Sequence, residues 1–318
     1  MKREWIPNTD LEVSALCYGS ASWGHAVVGR SLDRLLNAFR DAGGNFVDTA
    51  HCYACWTPQG AGVSERAIAD YVRRNGGGAG DPDALIVATK GGHPTFAGYR
   101  TVDRYLAAGR VAADIDDSLG RLDRDVIDVY LLHRDDPRME VGEIVEYLNA
   151  EVQRGRIRYF GASNWTAARI AEANAYAEAH GLQGFVISEP QWSLGHLNPG
   201  GDGTLHFFGA DDHAWHSASG MPVMPFASTA GGYFATEGRS RAAQFDNEIS
   251  RGRLARAQQL AAELGCTPGQ VAVAYLKHQP FPVVPILGTT KRRHLDDAIG
   301  ALQVELDAAQ VEWLRGSW

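Results

Sequence analysis

Four ionisable residues stand where short apolar runs end. Asp48 lies in the run NFVDTA at 45–50, with Tyr53 just beyond it. Lys90 closes LIVATK at 85–90, and His133 closes VIDVYLLH at 126–133. Reducing a carbonyl needs hydride at carbon and a proton at oxygen. A tyrosine can supply that proton, but its ordinary pKa is about 10. A nearby ammonium stabilises the phenolate and lowers that value. An aspartate keeps the lysine charged and in place, and a neutral histidine can hydrogen-bond the substrate oxygen. In the oxidative direction the same tyrosine, as phenolate, is the base. Singly, each residue also fits a plain structural place: a turn carboxylate, a rim ring, a solvated cation, a satisfied core histidine. Four of them at successive run ends are harder to explain that way.

Something must bring those run ends side by side, and the rhythm of the chain supplies it. Short apolar runs alternate with longer helical patterns, which implies βαβ units and a parallel sheet. Strands are expected at 16–19, 45–50, 85–90, 126–133, 157–163, 185–188, 222–226 and 283–287. Helical patterns follow most of them, with Ser31 and Ser64 as caps and Gly43, Gly44 and Gly76 as stops. Eight buried strands suit a closed α/β barrel, the (β/α)8 TIM fold, as one domain over 1–318. An open doubly wound sheet is the alternative, but no GxGxxG follows the first run. In a barrel, the carboxyl ends of neighbouring strands share one mouth. The stretches 195–220 and 227–249 break the rhythm, as long loops at that catalytic face do. The glycine-rich segment 76–83 reads as a loop within the domain.

Composition narrows the partners. The chain has 318 residues and a formal net charge of −8, which argues against nucleic acid. No apolar run is long enough for a bilayer, and the start MKREWIPNTD carries no secretory h-region, so a cytoplasmic protein is expected. The 4 cysteines do not form a disulfide framework in a chain of this length. Cys52 and Cys55 make a CxxC around Tyr53 with no second pair, which supports zinc poorly. His206, His213 and His216, with Asp211 and Asp212, match no firm ligand template, so no metal is expected.

The segments DTAHCY, VATK, LLH and GASNW resemble the signature segments of the aldo-keto reductase superfamily, in the same order. The resemblance runs from about residue 10 to the end of the chain. It implies Asp48, Tyr53, Lys90 and His133 as a catalytic tetrad, and hydride transfer between a nicotinamide and a small aldehyde, ketone or sugar. Ser163 and Asn164 would hold the carboxamide. Glu189, in EPQW, stands where the family has a glutamine, and Phe226 where an aromatic ring stacks. Ser20 also falls to the cofactor. So does the loop 227–232 with Ala227, Ser228 and Ala230, whose small residues let backbone N–H groups approach an anion. Gly288, Thr290, Lys291, His294 and Asp297 follow the last strand. Lys291, Arg292 and Arg293 at a helix start suit the 2′-phosphate of NADP. The family's habit implies NADP, with NAD left open, because Thr290 and Ala298 replace the usual Arg and Asn. Trp23, Trp56 and Trp165 would wall the substrate pocket, with Trp192 a further candidate. A cofactor-binding regulatory subunit and a barrel lyase or isomerase are the alternatives. Oligomeric state is left open.

Overall fold

The computed structural model describes residues 1–316 except 79, 82, 96–97, 201 and 240–241. Its centre is a parallel sheet of β3 (Cys17–Gly19), β4 (Phe46–Asp48), β5 (Ile86–Gly91), β6 (Ile127–Leu132), β7 (Ile157–Ser163), β8 (Ser188–Glu189) and β9 (Ile286–Leu287). The strand order is β8-β7-β6-β5-β4-β3-β9. An antiparallel pair, β1 (Arg3–Trp5) with β2 (Glu12–Ser14), precedes it and was not expected from the sequence.

Ten helices are described: α1 (Gly29–Asp41), α2 (Val63–Asn75), α3 (Ala108–Leu122), α4 (Val141–Gln153), α5 (Ala167–Ala179), α6 (Ala210–Ser219), α7 (Glu248–Leu264), α8 (Pro268–Lys277), α9 (Arg292–Gly300) and α10 (Ala308–Arg315). In α1, Leu32, Leu35, Leu36 and Phe39 recur at helical spacing and form its buried stripe. Among the described residues, no helix is long and apolar enough to cross a membrane.

The seven-stranded sheet departs from the eight strands expected. Residues 222–226 form only single bridges, Val223 pairing with Ser188 on one side and Val283 on the other. The physical reason is proline. Pro222 and Pro225, and Pro282 and Pro285 opposite, have no N–H to give a ladder. Their carbonyls still accept: Ser188 N–H reaches Pro222 at 3.0 Å, Val223 N–H reaches Pro282 at 2.9 Å, and Ile286 N–H reaches Pro225 at 3.0 Å.

Two expected caps are corrected. Ser31 lies inside α1, whose N-cap is Val28, and Ser64 lies inside α2, whose N-cap is Gly62. Ser64 is spent on packing instead: its hydroxyl is 2.6 Å from that of Ser20 and 3.0 Å from that of Thr49. Gly76 does end α2, at φ +77°. The loop expected at 195–220 contains α6, which ends at Gly220 with φ +68°.

Strand periodicity aims the site. Phe46, Ala88, Leu131 and Ile187 share one apolar cluster inside the sheet's curve. Asp48, Lys90, His133 and Glu189 each come two residues later, so they face the same side one step nearer the carboxyl ends. The outer face packs on helices, with Val47, Val87 and Tyr130 against Leu36, Ile68 and Ile115.

A buried ion pair pins α2 and α3 to that sheet. The Glu65 carboxylate accepts from the Thr89 hydroxyl at 2.8 Å and from Arg121 at 3.2 Å. Arg121 also donates to the carbonyl of His51 at 3.2 Å. Replacing Arg121→Met leaves a buried carboxylate without its cation. We expect a loss of about 3 kcal/mol, read as a lower urea midpoint. An unchanged midpoint would show that Glu65 is held by other means.

Candidate functional site

Register sets the site. Asp48 pairs with Gly19 and Ala88, Lys90 with Leu131, and Ser163 with Glu189. The His133 N–H then binds the carbonyl of Gly91 at 2.8 Å. The carboxyl ends of β3 to β8 therefore form one rim.

On that rim Lys90 is wholly buried, and its ammonium donates to Asp48 Oδ1 at 2.5 Å, the Thr49 carbonyl at 2.9 Å and the Tyr53 hydroxyl at 3.1 Å. The Tyr53 hydroxyl is 3.4 Å from Asp48 Oδ2. The Tyr53 and His133 rings meet edge to face at 6.0 Å between centroids. All four expected tetrad residues thus converge.

A fifth group joins them. Glu189 Oε1 lies 3.3 Å from Lys90 Nζ, and Glu189 is as buried as Asp48. Its Oε2 is buried without a hydrogen-bond partner in the protein. The sequence named Glu189 but did not place it beside Lys90. The signal was available in its spacing two residues after Ile187 at a strand end.

Two carboxyls and one ammonium cannot all be charged cheaply out of water. Burial works against the Lys90 ammonium, but Asp48 and then Glu189 overcome it and hold its pKa well above the usual lysine value. Burial raises Asp48, opposed by Lys90. Burial and then the Asp48 charge push Glu189 well above the usual range. The proton belongs on Glu189, because Asp48 has the shorter contact to the ammonium and a tyrosine hydroxyl besides.

Burial also raises the Tyr53 hydroxyl, with Lys90 opposing. Tyr53 therefore keeps its proton, contrary to the lowering expected from Lys90 alone. Burial and then Arg134 depress His133 well below its usual value, which leaves a neutral ring.

The remaining expected residues divide by place. Asn164 sits at φ +60° and donates to the Ser163 hydroxyl at 3.0 Å and the His133 carbonyl at 3.2 Å. The Ser163 hydroxyl donates to the Glu189 carbonyl at 3.0 Å, so these three form one patch beside Lys90. Phe226 is half-buried at the end of the 222–226 segment. Beyond it, Ala227, Ala230, Gly231 and Gly232 take φ of 54°, 50°, 61° and 82°. Left-handed backbone at two alanines costs energy and is typical of anion-binding turns. The Ser228 hydroxyl is 2.5 Å from the Ile286 carbonyl, tying this loop to β9.

Ser20 is fully buried and engaged with Ser64. Gly288, Thr290, Lys291, Arg292, Arg293 and His294 are exposed around the start of α9. Arg292 is bound to Asp296 at 2.7 Å. Asp297 is turned away, accepting from Thr267 at the cap of α8 at 3.1 Å. Trp56 is 53% exposed and meets the Tyr53 ring at 6.4 Å. Trp23 and Trp165 are buried in the main core cluster instead. Trp192 stacks on Phe208 at 4.1 Å and lines a cavity of about 300 Å³ with the 195–199 segment.

The loop histidines do not converge. His206 pairs with Asp212 at 2.9 Å, His213 with Gln279 at 3.1 Å, and His216 with the Met221 carbonyl at 2.8 Å.

A nicotinamide cofactor fits this donor set on one structural ground. Glu189 Oε2 is buried without a partner, and the main-chain carbonyl of the same residue takes the Ser163 hydroxyl, so a carboxamide bound beside Ser163 could supply the missing acceptor.

Comparison with known proteins agrees. The Aldo/keto reductase family model matches residues 15–318. The chain belongs to that family. It is similar to norsolorinic acid reductase B of Dothistroma septosporum, 27% identical over 99% of this chain and 81% of that protein. It is also similar to an NADP(+) aryl-alcohol dehydrogenase of Phanerodontia chrysosporium, at 29% identity over 98% and 84%. A probable voltage-gated potassium channel subunit beta of Oryza sativa is 28% identical over 96% and 92%. Membership makes this aldo/keto reductase an oxidoreductase by family.

A protonated Glu189 has a measurable consequence. Lys90, Asp48 and Arg134 are the charges that act on it. A carboxyl whose folded pKa is raised contributes stability below its unfolded value, about 4.3, that is lost as pH rises towards the folded value. Glu189→Gln removes that loss. Its advantage in urea midpoint over the parent should be larger at about pH 8 than at about pH 4.5. An offset that does not change with pH would place the proton elsewhere.

Proposed function

We propose that this aldo/keto reductase moves hydride between NADP(H) and a small aldehyde, ketone or sugar, with Tyr53 as the general acid and base. The observation that carries the reading is the Lys90 ammonium within 3.1 Å of the Tyr53 hydroxyl while anchored by Asp48. This reading takes the fold as a (β/α)8 barrel in one domain, with the bridges of Val223 to Ser188 and Val283 standing in for the eighth strand.

The nicotinamide would supply or take the hydride. Ser163, Asn164 and Glu189 would hold its carboxamide, Glu189 donating as the neutral acid. The 227–232 turn would take the pyrophosphate, and Lys291 with Arg293 the 2′-phosphate.

On the substrate side, the chain's own residues handle one proton. Tyr53 donates it to the carbonyl oxygen as negative charge develops there. Lys90 stabilises the phenolate left behind, and Asp48 keeps Lys90 in line. His133, neutral, hydrogen-bonds the same oxygen and fixes its orientation. Trp56 offers an exposed ring beside Tyr53, which favours aromatic carbonyls, in keeping with the name of the aryl-alcohol dehydrogenase relative. A regulatory subunit is the second reading, favoured by likeness to the rice channel subunit. A complete tetrad favours turnover over it.

Two measurements test this. Tyr53→Phe keeps the ring and removes the proton donor. Reduction of an aromatic aldehyde should fall by roughly a hundred- to ten-thousand-fold, with NADPH binding by tryptophan quenching unchanged. Near-normal turnover would remove Tyr53 from the chemistry. Lys291→Ala should weaken NADPH about tenfold and leave NADH alone. Equal effects on both would deny Lys291 the 2′-phosphate.

A further inference from the structure

Cys52, His93 and His133 come from three different segments of the rim. Their potential ligand atoms, one thiol sulfur and two imidazole nitrogens, all lie within 4.8 Å of one another. All three residues are buried. The Cys52 sulfur is 3.5 Å from His133 Nδ1, and the His93 and His133 rings meet edge to face at 4.8 Å. None of this was legible as CxxC, because Cys55 takes no part.

We propose that this cluster binds a borderline-soft divalent cation such as Zn2+, through one thiolate and two imidazoles, and that the bound ion reversibly shuts down turnover. A tetrahedral ion with Zn–S near 2.3 Å and Zn–N near 2.0–2.1 Å spaces its S and N ligands by about 3.5 Å. The Cys52–His133 edge already has that spacing, and the His93 ligand atom lies within 4.8 Å of both. Three protein ligands leave the fourth position to water. On binding, the sulfur–metal bond forms as the thiol proton leaves to solvent. No redox change occurs.

The surrounding charges permit it. Lys90 is neutralised by Asp48, with Glu189 beside it as the neutral acid, and Arg134 faces Asp202 at 3.5 Å. The new thiolate brings negative charge of its own. The inhibitory half rests on the proposed function. An ion held by Cys52, His93 and His133 Nδ1 locks the His133 ring where it stands, against the adjustment that orienting the oxygen beside Tyr53 would need.

Binding is measured first, on metal-free protein with no nucleotide or substrate, using Co2+ as an optical probe and Zn2+ in competition with a chromophoric chelator. One Co2+ per chain with a thiolate charge-transfer band is expected, displaced by Zn2+. Cys52→Ser should lose the band, and His93→Phe, which keeps a ring against His133, should weaken binding about a hundredfold. Circular dichroism confirms that both variants fold, and either variant alone decides the assignment. No stoichiometric binding at micromolar metal, or binding indifferent to both substitutions, would overturn the site. Aldehyde reduction is then assayed with Zn2+. Inhibition reversed by a chelator and relieved in His93→Phe, each relative to its own metal-free rate, supports the inhibitory half. Tight binding with unchanged turnover would overturn that half alone. Absence of any turnover without metal would instead strike the proposed function, leaving the binding result intact.

Discussion

A lysine ammonium held between two carboxyls, out of water, is the constraint on which this structure turns. Lys90 is completely buried, with Asp48 at 2.5 Å and Glu189 at 3.3 Å. A lone buried charge is costly, and a single pair rarely recovers its desolvation. Here the ammonium gains further hydrogen bonds to a carbonyl and a tyrosine hydroxyl. The excess negative charge is removed by a proton on Glu189. The elements that carry these groups must be placed closely, since a misplaced partner would leave a buried charge unpaired.

The fold meets that demand through register. Parallel strands with fixed pairing put Asp48, Lys90, His133 and Glu189 on one face, each two residues after an inward apolar residue. Outside the sheet, Glu65 and Arg121 fasten α2 and α3 to Thr89, the residue before Lys90. The charged centre is thus braced from the apolar interior and from the helices. Proline at 222, 225, 282 and 285 interrupts the ladder between β8 and β9, beside the left-handed turn at 227–232. The irregular segment adjoins β8 through the Ser188–Val223 bridge, next to Glu189, so the regular and irregular parts of the rim meet at the charged centre.

Most of the strands were legible because parallel, doubly buried strands read as near-continuous apolar runs, as in β6, whose six residues are all buried and all apolar but Asp128. The helices α7, α8 and α10 were not anticipated, although α8 carries a Thr267–Gln270 capping box. Ser31 and Ser64 misled as caps because Ser is equally suited to a packed hydroxyl network, and Ser64 found Ser20 and Thr49. Trp23, given to the pocket by the resemblance, and Trp165, offered as a further wall, are both buried in the main core cluster, where a large ring fills space as readily as it lines a cleft.

By itself, the sequence determined the residue types and their spacing. Four reactive side chains at strand ends in a βα rhythm, together with recognisable segments, were enough for the family and the chemistry it carries. Only the tertiary structure decided which charges meet. Proton placement depends on distances and burial among Asp48, Glu189 and Lys90, which are far apart in the chain. The same holds for Cys52, His93 and His133. Their convergence follows from strand register and loop path, and these are set by packing over the whole sheet rather than by any local pattern of residues.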